Sequence, residues 1–485
     1  MAFSNQQSST ELEKASELEQ EFAEAPSSLP PSDLAAVKRL LRKCDLHVVP
    51  TLFVIFLMAF LDRSNIGNAR IQGLEASLDM QGNDYNIALF VFFIPYILLE
   101  VPSNIIIKRV APSTWLSAIV VLWGIATIGQ GLVKNFAGLV ACRFLVGIFE
   151  AGLFPGCIYL ISMYYERYQL QWRLTLFFTA SIIAGGLGGL LAYAISNMGG
   201  TAGYEAWRWI FIIEGLATVV IGAISKFWIV DWPETATFLT DEERALLIQQ
   251  LSLDSGEANM NTLDKRAARR IFLDWKIYCG TLMYMGVVTT GYSSSFFIPT
   301  ILRQMGYTAA MAQILSIPIF TCAAIVAVAV AFATDKLRHR FSFIILGVLV
   351  GSTGYAIMLN LTTVSVGIRY FACFLIVTGG YIAQPMGGHY KRSMSAAIQI
   401  GFGNCGGIVA SNVFLNAEKP RYRTGFGTGM AFLIVLCGGM AVAMFFGLRA
   451  ENRKRDRGGR DYRFTEEAAD LDNMGDDHPN YRFTT

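Results

Sequence analysis

The chain has 485 residues, 53% hydrophobic and 16% charged, with a formal net charge of +2. Several apolar stretches exceed the roughly 20 residues that cross a hydrocarbon core of about 30 Å, which excludes a soluble globular class and makes the lipid bilayer the first partner. Lys and Arg are spread over short loops with no basic face, so no nucleic-acid partner is implied. The eight cysteines are scattered singly without CxxC or metal-ligand spacing, so they read as packing residues and no metal is expected.

Residues 1–45 are polar, rich in Ser, Glu and Gln, and turn basic at Lys38, Arg39, Arg42 and Lys43. With no secretory signal, they are expected to form a disordered cytoplasmic tail. About twelve apolar spans follow, near 47–66, 85–107, 114–133, 137–163, 173–196, 208–230, 276–298, 310–333, 341–360, 368–385, 394–415 and 426–448. The polar, mixed-charge segment 231–275 divides them into bundles at 46–230 and 276–448, six spans each, and residues 449–485 form a second polar tail. The expected fold is therefore an all-α polytopic membrane protein of two six-helix halves. Lys108/Arg109, Arg167/Arg173, Lys336/Arg338/Arg340 and Lys391/Arg392 fall on the side of the basic flank before the first span, which places both termini and the central segment in the cytoplasm. The loop with Lys419, Arg421 and Arg423 is an exception to that pattern. A weak internal repeat, Lys108-Arg109 after the second span and Lys336-Leu337-Arg338 after the eighth, supports the division, and such twofold repeats are how many secondary transporters are built. Small-residue pairs Gly152/Gly156, Gly185/Gly189, Gly347/Gly351, Gly403/Gly407 and Gly425/Gly429 read as close helix contacts.

The first span closes on Asp62-Arg63-Ser64-Asn65-Ile66-Gly67-Asn68. An acid and a base at bilayer depth are costly unless they face a cavity or each other's partners, so they mark a functional site by default. The alternative is that both lie at a helix end and snorkel to water. The other acids inside the spans, Glu100, Glu150 and Glu214, also belong to the first half. Glu150 follows Arg143 by two helical turns, so both can point into one cavity. A structural pair tying neighbouring helices is the alternative. For Glu100 and Glu214 the structural reading is favoured. Tyr96 could present its hydroxyl to the same cavity, and Tyr284, Tyr292, Phe296, Phe297, Gln384, Gln399 and Asn404 are the polar or aromatic candidates of the second half. Gly401 to Gly406 matches a dinucleotide-binding pattern, but it lies in an apolar run with no preceding strand. No phosphate loop, HExxH or GxSxG occurs, so neither an ATP motor nor an enzyme is expected, and no cofactor.

Beyond these patterns, FLDRSNIGNA (60–69), EVPSN (100–104), RFLVGIFEAGLFPG (143–156), AWRWIFIIEG (206–215), DWPETATFLT (231–240), GGHYKRS (387–393) and PRYRTG (420–425) together resemble the fungal branch of the anion:cation symporter family within the major facilitator superfamily. Permeases for allantoate, nicotinate and pantothenate belong to that branch, and the resemblance covers about residues 45–455. It implies uptake of a small organic anion with protons by alternating access; a plasma-membrane location and a monomer are separate expectations. In related sugar-acid, glutamate and sialic acid carriers the arginine matching Arg63 meets the substrate carboxylate, and acids matching Asp62 and Glu150 are implicated in proton coupling. With Arg63 as the anchor that the resemblance implies, and Asn65, Tyr96, Tyr292, Gln384 and Asn404 taken from their own positions, these residues are the expected substrate site, and Asp62 and Glu150, joined by Arg143 from its helical spacing, are expected on the proton side. The chain departs from the family where Gln384-Pro385 runs directly into Met386-Gly387-Gly388-His389, which shortens the tenth span and calls for a tight turn at Gly387 and Gly388. A nutrient receptor that keeps the fold, or a product unable to transport because of that short helix, is the alternative.

Overall fold

The computed structural model describes residues 31–255, 273–337, 339–360, 364–384, 399 and 401–459. All regular structure among them is helical. They fall into two compact units, residues up to Leu46 and residues from His47 onward. In the first lies most of α1 (Pro31–His47), so the expected disordered tail is corrected over residues 31–45. Its start was readable: Pro31 has no N–H to lose in a first helical turn, where that donor has no partner anyway.

The second unit contains α2 (Val49–Ile71), α3 (Asp84–Ile107), α4 (Pro112–Leu132), α5 (Phe136–Ser162), α6 (Arg167–Ser196) and α7 (Ala206–Trp228). After α8 (Asp241–Ser255) come α9 (Trp275–Gln304), α10 (Ala309–Leu337), α11 (Arg340–Leu359), α12 (Val366–Ile382), α13 (Cys405–Asn412) and α14 (Arg423–Asp456). Apart from α8 these follow the twelve expected spans in order. Among the described residues nine helices are long and apolar enough to cross a membrane. Helix α9, at 30 residues, is long enough but carries Thr289, Thr290, Ser293, Ser294 and Ser295 along its middle, a composition that fits lining a cavity rather than facing lipid. Helix α12 ends at Ile382, three residues before the sequence-based limit, and the turn at Gly387 and Gly388 lies outside the described residues. Segment 231–275 is not wholly loop, since α8 occupies its middle, and α14 carries the last span eight residues beyond 448 into the expected tail.

Local chemistry sets several ends. Helix α2 opens with Pro50 in its first turn and stops before Gly73, whose φ of 103° is open to glycine at little cost. The Asn135 side chain accepts from Gly138 N at 2.9 Å to cap α5, and Asp274 accepts from Lys276 N at 3.0 Å to cap α9. Small residues then allow the helices to close on each other. A Cβ on Gly379 would come within 2.2 Å of Gly351 N, which binds α12 to α11, and one on Gly67 would come within 2.8 Å of Phe296 O, which binds α2 to α9 across the two halves. Large apolar side chains such as Leu98, Phe227, Ile325 and Phe446 remain exposed on the outside, as expected of a surface solvated by lipid.

Candidate functional site

Helix α2 runs five residues past the expected end of the first span, which places Asp62 and Arg63 mid-helix, only 2% and 5% exposed. They do not snorkel to water. The polar stretch that broke the hydropathy pattern continues as helix because each polar side chain meets protein rather than lipid. Successive residues on a helix point about 100° apart, so Asp62 and Arg63 leave α2 in different directions.

Arg63 points toward a cavity between the halves, with an empty volume of about 750 Å³. One guanidinium nitrogen donates to the Tyr292 hydroxyl of α9 and the other to a Glu150 carboxylate oxygen of α5. Its carbon lies 4.9 Å from the Phe92 ring, 5.0 Å from Tyr96, 5.3 Å from Phe60 and 5.4 Å from Tyr292. A cation so enclosed is favoured by the ring faces and is stripped of water, so its strongest interactions are with Glu150 and Tyr292. Glu150 is 1% exposed and stands behind Arg63, outside the cavity wall.

Arg63, Tyr96, Tyr292, Gln384 and Asn404 of the expected substrate residues all line this cavity, as does Tyr284. Three expectations are corrected. Asn65 does not line it: two residues beyond Arg63 it has turned about 200° around α2, and its amide donates to Glu214 Oε2 on α7. Arg143 and Glu150 do share the buried face of α5, but neither lines the cavity and the ion pair of Glu150 is with Arg63. The reason is packing. Gly147 lies between them, and a Cβ there would come within 2.3 Å of Phe92 O, so this face is pressed against α3 and not open to the cavity. Arg143 instead stacks 5.9 Å from the Phe211 ring of α7. Asp62 also faces away from the cavity. Its Oδ2 accepts the Trp123 indole N–H of α4 at 2.7 Å and the Thr218 hydroxyl of α7 at 2.8 Å.

Sequence reasoning missed the apolar wall of the site, formed by Phe56, Phe60, Phe154 and Phe178. The signal was present for two of them, since Phe56 and Phe60 precede Arg63 by seven and three residues and so share its helix face. Glu100, 2% exposed, lies on the α13 side, where a Cβ on Gly401 would stand 4.0 Å from its Oε2. Phe296 and Phe297 are buried in the core, and Gln399 donates to Gly280 O within the second half.

The end of the molecule that carries Arg70 and Arg303 is closed by hydrogen bonds between the halves. Arg70 donates to Asn416 Oδ1 at 2.6 Å, Asn86 to Ser411 O at 2.7 Å and Gln72 to Gln313 Oε1 at 3.1 Å, and Arg303 donates to Ile71 O. The cavity is sealed off from that end in this conformation.

This arrangement of twelve helical segments about a central cavity has known counterparts. The xylose transporter XylE from E. coli, in a partially occluded inward open conformation, superposes with a TM-score of 0.63 at 14% identity, covering 82% of this chain and 98% of that one. An MFS-type transporter of Penicillium expansum, cnsO, is 34% identical over 93% of this chain and 91% of its own length. The high-affinity nicotinic acid transporter of Saccharomyces cerevisiae is 29% identical over 86% and 79%. Residues 52–444 match the family model of the Major Facilitator Superfamily, and together with the helical order and the central cavity this makes the chain a membrane transporter of that superfamily.

Proposed function

We propose that the chain is a proton-coupled symporter of the anion:cation type that takes up a small organic carboxylate, acting as a monomer in the plasma membrane with both termini cytoplasmic. The observation that carries the reading is the Arg63 guanidinium, which borders the cavity while Glu150 neutralises it from behind. A substrate carboxylate entering the cavity can replace Glu150 on the guanidinium, because both offer the same bidentate acceptor geometry. Glu150, displaced from its counter-charge at 1% exposure, then takes a proton from hydronium, which leaves as water, since an unpaired carboxylate is costly in such surroundings. Substrate and proton thus load together. Tyr292 holds Arg63 in place, Tyr96, Gln384 and Asn404 offer polar contacts to the distal part of the substrate, and the Phe56 and Phe60 rings cover its apolar part. The name of the nicotinic acid transporter among the relatives favours an organic anion. The basic residues Lys108, Arg109 and Arg340 at one end of the bundle favour that end as cytoplasmic.

The test is uptake of labelled nicotinic acid, with competition by a panel of unlabelled carboxylic acids, into proteoliposomes under an imposed pH gradient. Accumulation driven by an inward proton gradient supports the reading. Binding without accumulation replaces it with a receptor.

A further inference from the structure

Glu214 takes no part in the substrate site, yet it stands in the middle of α7 at 3% exposure. Its setting is that of an acid pair. Asp62 meets Thr218 on α7, and one turn further along each helix Asn65 donates its amide to Glu214 Oε2. The two carboxyls therefore occupy successive turns of one α2–α7 seam, on the side of α2 away from the cavity. The charged neighbour of Glu214 is Asp62, a like charge, while Asp62 in turn feels the like charge of Glu150 and the opposite charge of Arg143. Of the other helices against α7, α4 presents Trp123, Thr127 and Gln130 along one face, α6 packs Ala192 and Ile195 on Ile210, and α5 brings one charged group, Arg143, whose guanidinium carbon lies 5.9 Å from the Phe211 ring.

Two independent counts give the same answer. Among the described residues around α2 lie three buried carboxyls, Asp62, Glu150 and Glu214, and two buried guanidinium groups, Arg63 and Arg143, each 5% exposed or less, while the third buried guanidinium, Arg70, is balanced by Glu75 at 2.8 Å. Fully ionised, the group carries one negative charge with no counter-ion in a medium that tolerates it poorly. Hydrogen bonding shows the same surplus. Asp62 Oδ1, Asn65 Oδ1, Gln130 Oε1 and Glu214 Oε1 are buried acceptors without a donor, against one unpaired hydroxyl on the neighbouring face of α4, Thr127 Oγ1, and the unpaired Nε and Nη2 of Arg143 on α5. A single proton removes the excess charge and supplies one of the missing donors, because a carboxylic acid is neutral and its O–H is a donor. Asp62, with two donors on one oxygen, is suited to remain ionised. Glu214, with one donor and an acid for a neighbour, is suited to take the proton.

We propose that Glu214 is a proton-binding group of the transport cycle, carrying its proton on Oε1 beside an ionised Asp62 on the face of α2 opposite the substrate cavity. The step is Glu–COO⁻ plus hydronium giving Glu–COOH plus water, with no other reactant. Glu150, the ion-pair partner of Arg63, also acts on Asp62 as a like charge, so a change in the charge of Glu150 reaches this pair. The link to transport rests on the symport reading, whereas proton binding by Glu214 does not.

Infrared difference titration of the full chain in nanodiscs reads proton binding without any substrate. Glu214→Gln keeps an acceptor for the Asn65 amide but cannot titrate. The expected result is a protonated-carboxyl C=O band in the unsubstituted protein that titrates and is lost in Glu214→Gln. In proteoliposomes, nicotinic acid exchange should persist in the variant while its accumulation loses the dependence on one proton. An unchanged band in Glu214→Gln overturns the proposal. A lost band with unaltered pH-driven accumulation overturns the role in the cycle, and absence of pH-driven uptake by the unsubstituted protein overturns the symport reading instead. Should Glu214→Gln not fold, Asn65→Ala retains both carboxyls and must move the titration of that band. A band that does not move overturns the proposal.

Discussion

Glu150→Gln tests the buried pair at the centre of the site. In the native protein Arg63 and Glu150 are 5% and 1% exposed and joined by a charge-assisted hydrogen bond. Removing one member of such a pair leaves the other buried without its counter-charge, which costs about 3–5 kcal/mol. Here Arg63 keeps the Tyr292 hydroxyl and four ring faces at 4.9–5.4 Å. Such contacts contribute about 0.5–2 kcal/mol for a desolvated cation, so the loss should fall near the lower end, about 3 kcal/mol. The assay is reversible unfolding of the purified protein in bicelles, as a double-mutant cycle with Arg63→Met. The double variant Arg63→Met, Glu150→Met, which removes both charges, should recover most of the loss, because apolar replacement of a whole buried pair is often neutral. A carboxylate ligand should stabilise Glu150→Gln more than the native protein, by supplying the missing partner. A loss below about 1 kcal/mol, the range of an exposed ion pair, would refute the reasoning.

Other consequences follow from neighbouring geometry. Trp123→Phe removes the donor 2.7 Å from Asp62 and should lower stability by about 1.5–3 kcal/mol, the range for a hydrogen bond to a charged group, and the same substitution should cost less in an Asp62→Asn background. Gly379→Ala places a methyl group within 2.2 Å of Gly351 N and should reduce stability by about 1–3 kcal/mol with uptake affected only through yield, as quantified by fluorescence-detected chromatography. Asn86→Ala breaks the 2.7 Å contact to Ser411 O that helps close the Arg70 end, so a cysteine placed at Leu415 should react faster with a membrane-impermeant maleimide. An unchanged labelling rate would mean that the remaining bridges hold that end shut alone.

The order of the spans was legible because each apolar run of bilayer length is bounded by polar loops. Hydropathy failed where polar residues are buried in protein, as at Gly67 to Ile71, which continue α2, and along α9. Arg63, Tyr96, Tyr292, Gln384 and Asn404 could be picked out because a polar side chain at membrane depth is costly without a cavity or partner. Their facing was harder to read. Asn65 lies two residues from Arg63 and looked like part of the same face, yet a two-residue step on a helix reverses direction. The partner of Glu150 was misread for another reason: sequence spacing identified Arg143 on its own helix, while the actual partner lies 87 positions away and is set by how α5 packs on α2 and α3. The sequence favoured a structural reading of Glu214, whose partner Asn65 is 149 positions distant.

The most direct test of the account is the proton dependence of carboxylate accumulation in proteoliposomes, measured for the native protein and Glu150→Gln side by side. Labelled nicotinic acid leads the panel of acids, and a pH-sensitive dye inside the vesicles records proton entry. The account predicts that the native protein accumulates an acid with co-entry of protons, while Glu150→Gln still exchanges that acid across the membrane but no longer accumulates it. Full pH-driven accumulation by Glu150→Gln, or acid uptake by the native protein without proton entry, would contradict it.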